Sequence, residues 1–211
     1  MDPLSDREST VCPPPQLGEL LEACWRELET AVSDGAHGWH LAVIATNDSN
    51  GGPELRTVVL RVADQARRLL GFHTDRRAGK IVQLQEDPRM GVLFYDRARR
   101  IQLRARGEAH VHVDDEAAEE AWKRSSFSSR RCYLAPHAPS SAQEAFSPNL
   151  PGDLLHRAPG EAASEAGREH FAYVTVRLDS VEWLQLRHDG HVRARFTWDE
   201  DGECSAGWIA P

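Results

Sequence analysis

The stretch RIQLRARGEAHVHV, Arg100–Val113, decides the fold class. Ile101, Leu103 and Ala105 fall on one side of an extended chain, and Arg100, Gln102, Arg104 and Arg106 fall on the other. That period of two belongs to a half-buried strand, because a helix would scatter both sets around its circumference. Working outward, the same period recurs at Trp39–Thr46, Leu55–Val62, Arg68–Thr74 and Met90–Tyr95, and after the long strand at Phe171–Leu178, Val181–Leu186 and Val192–Trp198. Asn47–Pro53 is dense in turn residues and predicts a hairpin between the first two strands; HDG, 188–190, predicts another turn.

Helical periodicity is confined to short pieces. Leu17, Leu20, Leu21, Cys24, Trp25, Leu28, Ala31 and Val32 recur at steps of three and four, and Asp34-Gly35 ends that face. AGKIVQLQEDP, 78–88, predicts a short helix halted by Pro88. Asp114 and Asp115 open an acidic helix that holds Ala118, Ala121 and Trp122, a charge placement suited to the helix dipole. The expected class is mainly β (α+β): a small antiparallel barrel with a few helices outside it. The expected organisation is a disordered tail over 1–15, with its three consecutive prolines, and one domain over 16–211. That domain carries a flexible loop at about 135–169, rich in Pro, Ser, Ala, Gly and Glu.

With 211 residues and a net charge of -8, the chain is expected to bind small ligands and protein partners rather than nucleic acid or a membrane surface. The N-terminus lacks the apolar core of a secretory signal, and no stretch approaches the ~20 apolar residues of a membrane span. Cys12, Cys24, Cys132 and Cys204 form no CxxC pair, which fits reduced thiols. A cytoplasmic location is the expectation. GxSxG, Walker and GxGxxG motifs are absent, as is HExxH. His110 and His112 share a strand face and His188 and His191 share a turn, but no carboxylate or cysteine stands beside either pair at ligand spacing in the sequence, so no metal is expected. The run RARRIQLRARGEAH, with Phe94 and Tyr95 nearby, admits an RNA-binding face; the acidic balance favours a solvated barrel strand instead.

What remains is an ordered set in the first half: RTVVLR (Arg56–Arg61), FHTDRRAGK (Phe72–Lys80), FYD (Phe94–Asp96) and IQLRARGEA (Ile101–Ala109). A phosphate dianion calls for several cationic donors, and Arg56, Lys80 and Arg76 or Arg77 stand at strand ends and a helix start. A flat heteroaromatic ring calls for an apolar shelf, offered by Val58 and Val59. The Gln102 amide both donates and accepts, matching a ring edge that presents an N–H beside a carbonyl. Arg61 or Arg195 would place positive charge near the other end of such a ring.

These pieces, with DPRMGVLFYD (87–96) and the closing VEWLQL, HVRARFTW and WIAP, resemble the pyridoxamine 5′-phosphate oxidase-like family of FMN-binding split barrels. The similarity runs from Trp39 to Pro211, except for 135–169. The resemblance implies FMN contacts from Arg56, Thr57, Val58, Val59, Leu60 and Arg61, from His73 and Thr74, from Lys80 with Arg77 nearby, and from Gln102, Ser140 and Arg195. Arg193 and Arg195 are its catalytic candidates. It further implies a split barrel, a homodimer with FMN at the interface, and transfer of hydride or electrons to or from a small-molecule substrate. The sequence also departs from the family. Gly79 replaces a phosphate-binding arginine, and Leu184 replaces a tryptophan. Ala121 and Ser125 stand where the vitamin B6 oxidase has its substrate-phosphate tyrosine and arginine, with only Ser129 kept. At 191–193 the family's Arg-Leu-His reads His-Val-Arg. The expectation is therefore a divergent FMN oxidoreductase whose substrate is not pyridoxamine phosphate, or alternatively a non-catalytic FMN-binding, storage or redox-sensing module.

Overall fold

The structure, a computed structural model, describes residues 16–211; the tail over 1–15, expected to be disordered, lies outside the described residues. Eight strands form one antiparallel sheet in the order β3-β2-β1-β4-β5-β6-β7-β8. They are β1 (Leu41–Asn47), β2 (Pro53–Asp64), β3 (Leu69–Asp75), β4 (Arg89–Asp96), β5 (Ile101–His112), β6 (Phe171–Gln185), β7 (Val192–Trp198) and β8 (Cys204–Ile209). Pairing of β3 with β6 closes the first six into a barrel, and β7 and β8 extend from it as a flap.

One long strand makes both arrangements possible. Phe171–Arg177 of β6 pairs with β3, and Ser180–Gln185 pairs with β7. The sequence predicts two strands here, because Asp179-Ser180 interrupts the apolar run. The structure has one, because the interruption is a bulge: Arg106 pairs with Ser180 and Gly107 with Leu178, leaving Asp179 over. Gly107 is required at that point, since a Cβ there would lie 2.0 Å from the Arg177 carbonyl oxygen. β8 was not expected, and its pattern explains why. As an edge strand with mostly exposed residues it carries no apolar period to read.

The helices α1 (Leu17–Ser33), α2 (Gly79–Glu86) and α3 (Glu116–Arg124) fall where the sequence predicts them. The apolar face of α1 (Leu20, Cys24, Trp25, Leu28, Ala31) is continuous with the barrel core of Trp39, Ile44, Phe94, Leu103 and Phe196. Each such buried side chain contributes about 1.5–3 kcal/mol. Burial also pushes the Cys24 thiol up to about 12, so it is an inert core group. A second cluster, Ala121, Trp122, Tyr133, Phe171 and Tyr173, fastens α3 to β6.

The 135–169 segment contains α5 (Glu161–Glu165), following α4 (Phe127–Arg130), and short 3-10 turns at Gly152–Leu154 and Arg168–His170. It is anchored at several points: Leu154 and Ser164 are buried, and the buried Arg130 donates to Ser164 Oγ and Glu165 Oε1. Among the described residues no helix is long and apolar enough to cross a membrane.

Candidate functional site: a cationic corner, an outer face and a cavity

Register decides where each candidate points. Arg56 pairs with Ile44, which is 1% exposed, so its side chain follows the inward face to the barrel rim. There Arg56 donates to Thr46 Oγ1 (2.5 Å) and Gln83 Oε1 (3.1 Å), and pairs with Glu54 (2.8 Å). Lys80, in the first turn of α2, reaches the same rim and donates to Thr74 Oγ1 at 2.9 Å. Burial, and then the Arg56 charge, hold the Lys80 ammonium below its ordinary range. Among the described residues its hydrogen-bond partner is a hydroxyl alone, and the N-cap of α2, Ala78, supplies no side-chain acceptor. Two cations and the open N-terminus of an eight-residue helix thus face one spot. That donor set suits a phosphate dianion.

Neither nearby arginine joins them. Arg77 binds Asp75 through Nε and Nη2 and the Ala135 carbonyl, and Arg76 is directed to Asp114 and the Glu169 carbonyl. The expected shelf of Val58 and Val59 also divides. Adjacent strand residues face opposite ways, so Val58 and Leu60 pack on the core while Thr57 and Val59 join the outer face.

Gln102 lies on that outer face, three strands from Arg56, about 14 Å at ordinary strand spacing. It lines a cavity of about 410 Å³ with Val43, Ala45, Leu55, Leu93, Arg104 and Glu182. Leu41, Leu55 and Tyr95 are 54%, 63% and 46% exposed, so this outer face carries exposed apolar side chains. At its far end Glu182 collects Arg193, Arg195 (2.8 Å) and Arg104 (3.7 Å). Burial alone would raise the Glu182 carboxyl, but hydrogen bonds from Arg193 and Arg195 hold it below the usual range. Both catalytic candidates therefore carry a carboxylate partner. Phe94 is fully buried, which removes it from any stacking surface.

A third region opens between β2, β3 and α3. A cavity of about 570 Å³ is lined by Arg61, Arg67, His73, Arg124, Ser125, Ser129 and Tyr173, among others. Arg67 and Arg124 have Asp64 and Glu120 beside them, whereas the half-buried Arg61 side chain, next to a bulge in β2, has no hydrogen bond or ion pair among the described residues. The His73 ring packs against Phe171 and Tyr173, and burial with the Arg61 charge pushes it down to about 4. It is a neutral imidazole at physiological pH. Ser140 stands apart from all three regions, exposed on a turn with φ 67°.

The sequence reading missed Thr46, Gln83 and Glu182. Thr46 and Gln83 orient Arg56, and Glu182 neutralises the arginines. Glu182 lies directly opposite Arg104 and Arg195, a signal that appears only once the strand register is known.

Residues 22–113, which include Arg56, Thr74, Lys80 and Gln102, match the family described as pyridoxamine 5′-phosphate oxidase, FMN-binding domain. That stretch is similar to the family over 92 of the 211 residues. The full fold has solved relatives. A pyridoxamine 5′-phosphate oxidase-related, FMN-binding protein from Nostoc punctiforme PCC 73102 superposes with TM-score 0.69 and 23% identity, covering 90% of this chain and 96% of that one. PhzG from Burkholderia lata 383, in complex with tetrahydrophenazine-1-carboxylic acid, gives 0.64 and 18%, with 94% of each chain covered. A protein from Clostridium acetobutylicum related to general stress protein 26 gives 0.53 and 11%, with 83% and 93% covered. At these identities the likeness is one of fold. The match and the shared fold make the chain similar to this family, from whose pattern Gly79, Leu184 and the order of residues 191–193 depart.

Proposed function

We propose that this chain binds FMN and passes hydride or electrons between it and a small organic anion. The observation that carries the reading is Lys80: a desolvated ammonium beside Arg56 at the start of α2, hydrogen-bonded among the described residues to a hydroxyl alone. A phosphate there would relieve the repulsion of the two cations and accept from Thr74 and the helix N–H groups. Bound FMN supplies the hydride- and electron-accepting chemistry.

The chain's own residues orient and select. Gln102 offers an amide to a ring edge, and Thr57 and Val59 contribute to the outer surface against which a ring can lie. One chain, however, presents Gln102 and Arg195 on the opposite sheet face from Arg56 and Lys80. A homodimer packed through the outer face would let one copy supply the cationic corner and the other the amide and Arg195. Exposed Leu41, Leu55 and Tyr95 support that interface. The Arg61 cavity is the candidate substrate site. Its guanidinium, without a hydrogen bond or ion pair among the described residues, favours an anionic group, and neutral His73 can accept a hydrogen bond there.

The ion pairs that hold Arg193 and Arg195 on Glu182 favour a second reading, a binder without turnover, because they place no free cation near a reacting ring. Anaerobic mixing of the FMN-loaded protein with amines and with NAD(P)H separates the two. Loss of the oxidised flavin spectrum with any of them supports the enzyme, and a spectrum unchanged by all supports the binder. A purified protein that takes up no FMN overturns both.

A further inference from the structure

The end of β5 and the start of α3 bring together three metal-ligating side chains that the oxidase-like reading leaves unused. His110 and His112 are two apart on one strand, so both rings leave the same face, with centroids 4.4 Å apart. Asp115, the N-cap of α3, turns back toward them. Its Oδ1 accepts from the Ala118 N–H, and its Oδ2 lies 2.6 Å from His112 Nδ1. One donor atom from each of the three residues lies within 4.8 Å of the other two. The sequence hid this set because Asp115 belongs to another element, and the turn after β5 returns it to the histidine face.

We infer that His110, His112 and Asp115 form a binding site for a borderline divalent transition cation of the zinc type. Two imidazoles and one carboxylate are the donors such ions prefer, whereas magnesium and calcium select oxygen-only sets. The surrounding contacts already have the form of an outer shell. His112 Nε2 lies 3.2 Å from Thr175 Oγ1, a hydroxyl on buried β6, which fixes the ring with Nδ1 toward Asp115. Stacking on Tyr173 holds the same ring flat. The helix N–H bond to Oδ1 leaves Oδ2 aimed at the histidines. His110 is exposed and its ring makes no hydrogen bond among the described residues, so no such bond opposes its turning inward.

Ligand atoms around a tetrahedral ion stand about 3.4 Å apart at ordinary zinc distances. Closure therefore needs the Asp115–His112 contact to open slightly and the His110 ring to swing in. The ion takes the place of the hydrogen between His112 Nδ1 and Asp115 Oδ2, and His112 binds it as the neutral tautomer that keeps its proton on Nε2, facing Thr175 Oγ1. Bound there, the ion clips α3 to the barrel. α3 and Tyr173 both line the Arg61 cavity, so the clip stiffens that cavity's wall. The inference does not depend on FMN.

The test is calorimetric titration of the tag-free, chelator-washed full chain with zinc chloride, without flavin. The expected result is one ion per chain, with affinity lowered at least about tenfold in His110→Ala and in Asp115→Asn. Asparagine caps a helix as well as aspartate, so Asp115→Asn removes a ligand and keeps the cap. The His110 ring has no hydrogen bond to lose among the described residues, so the zinc-free thermal midpoint of His110→Ala should equal that of the parent. Absence of binding, or binding that survives both substitutions, overturns the site.

Discussion

Two corners of this molecule gather positive charge, and they treat it in opposite ways. Where β5, β6 and β7 meet, Arg104, Arg193 and Arg195 surround Glu182, so the cations there are answered from within the chain. At the barrel rim, Lys80 and Arg56 sit together; among the described residues Arg56 has an ion pair and Lys80 has none, and burial and the Arg56 charge outweigh the pull of Asp75 on the Lys80 ammonium. A corner that is neutralised is architecture; one left short of an anion is an invitation to a ligand. The sequence offers arginines and lysines to both without saying which is which.

The contrast can be broken at several points, beginning with the largest expected effect. If the two corners meet on one flavin only across a dimer, Leu41→Asp on the outer face should yield a monomer by sedimentation. It should also lower FMN affinity by about 3 kcal/mol or more, roughly a hundredfold. A monomeric parent with unimpaired FMN binding would refute the shared site.

The next effect is acid sensitivity beside Arg61. The folded-state value of His73, about 4, lies below its ordinary 6.5. The unfolded chain therefore takes up the proton first, and the stability His73 confers is complete above pH 6.5 and lost as pH falls toward 4. Denaturant unfolding should show His73→Phe sparing up to about 3 kcal/mol of that loss. An identical pH dependence in the variant would mean the ring is protonated in the fold.

Glu182→Gln should cost about 2 kcal/mol of stability, because three guanidinium groups lose their shared carboxylate. Thermal melts at low and high salt would show it, with the deficit shrinking as salt screens the repulsion. Smallest is Arg56→Ala, which forfeits hydrogen bonds to Thr46 and Gln83 and should lower flavin-free stability by about 1 kcal/mol. A much greater loss would make Arg56 chiefly structural.

How much of this could be read in advance follows the same division. The barrel was legible because strands such as Arg100–Val113 alternate, and the cationic rim was legible because Arg56, Thr74 and Lys80 sit in local motifs. The bulge at Asp179 was hidden because it looks like a break, and β8 because exposed edge residues follow no period. The pairing of Arg195 with Glu182, and of His112 with Asp115, depends on register and on one turn between elements. Motifs fix residue types locally; partners across strands emerge only from the fold.

Whether the rim is a phosphate site is decided by comparing FMN with riboflavin, which lacks the phosphate, as ligands of the parent and of Lys80→Met. The parent should bind FMN about ten- to a hundredfold more tightly than riboflavin, and Lys80→Met should lose most of that preference without losing flavin-free stability. Equal affinities of the parent for both ligands, or a preference untouched by Lys80→Met, would contradict the account.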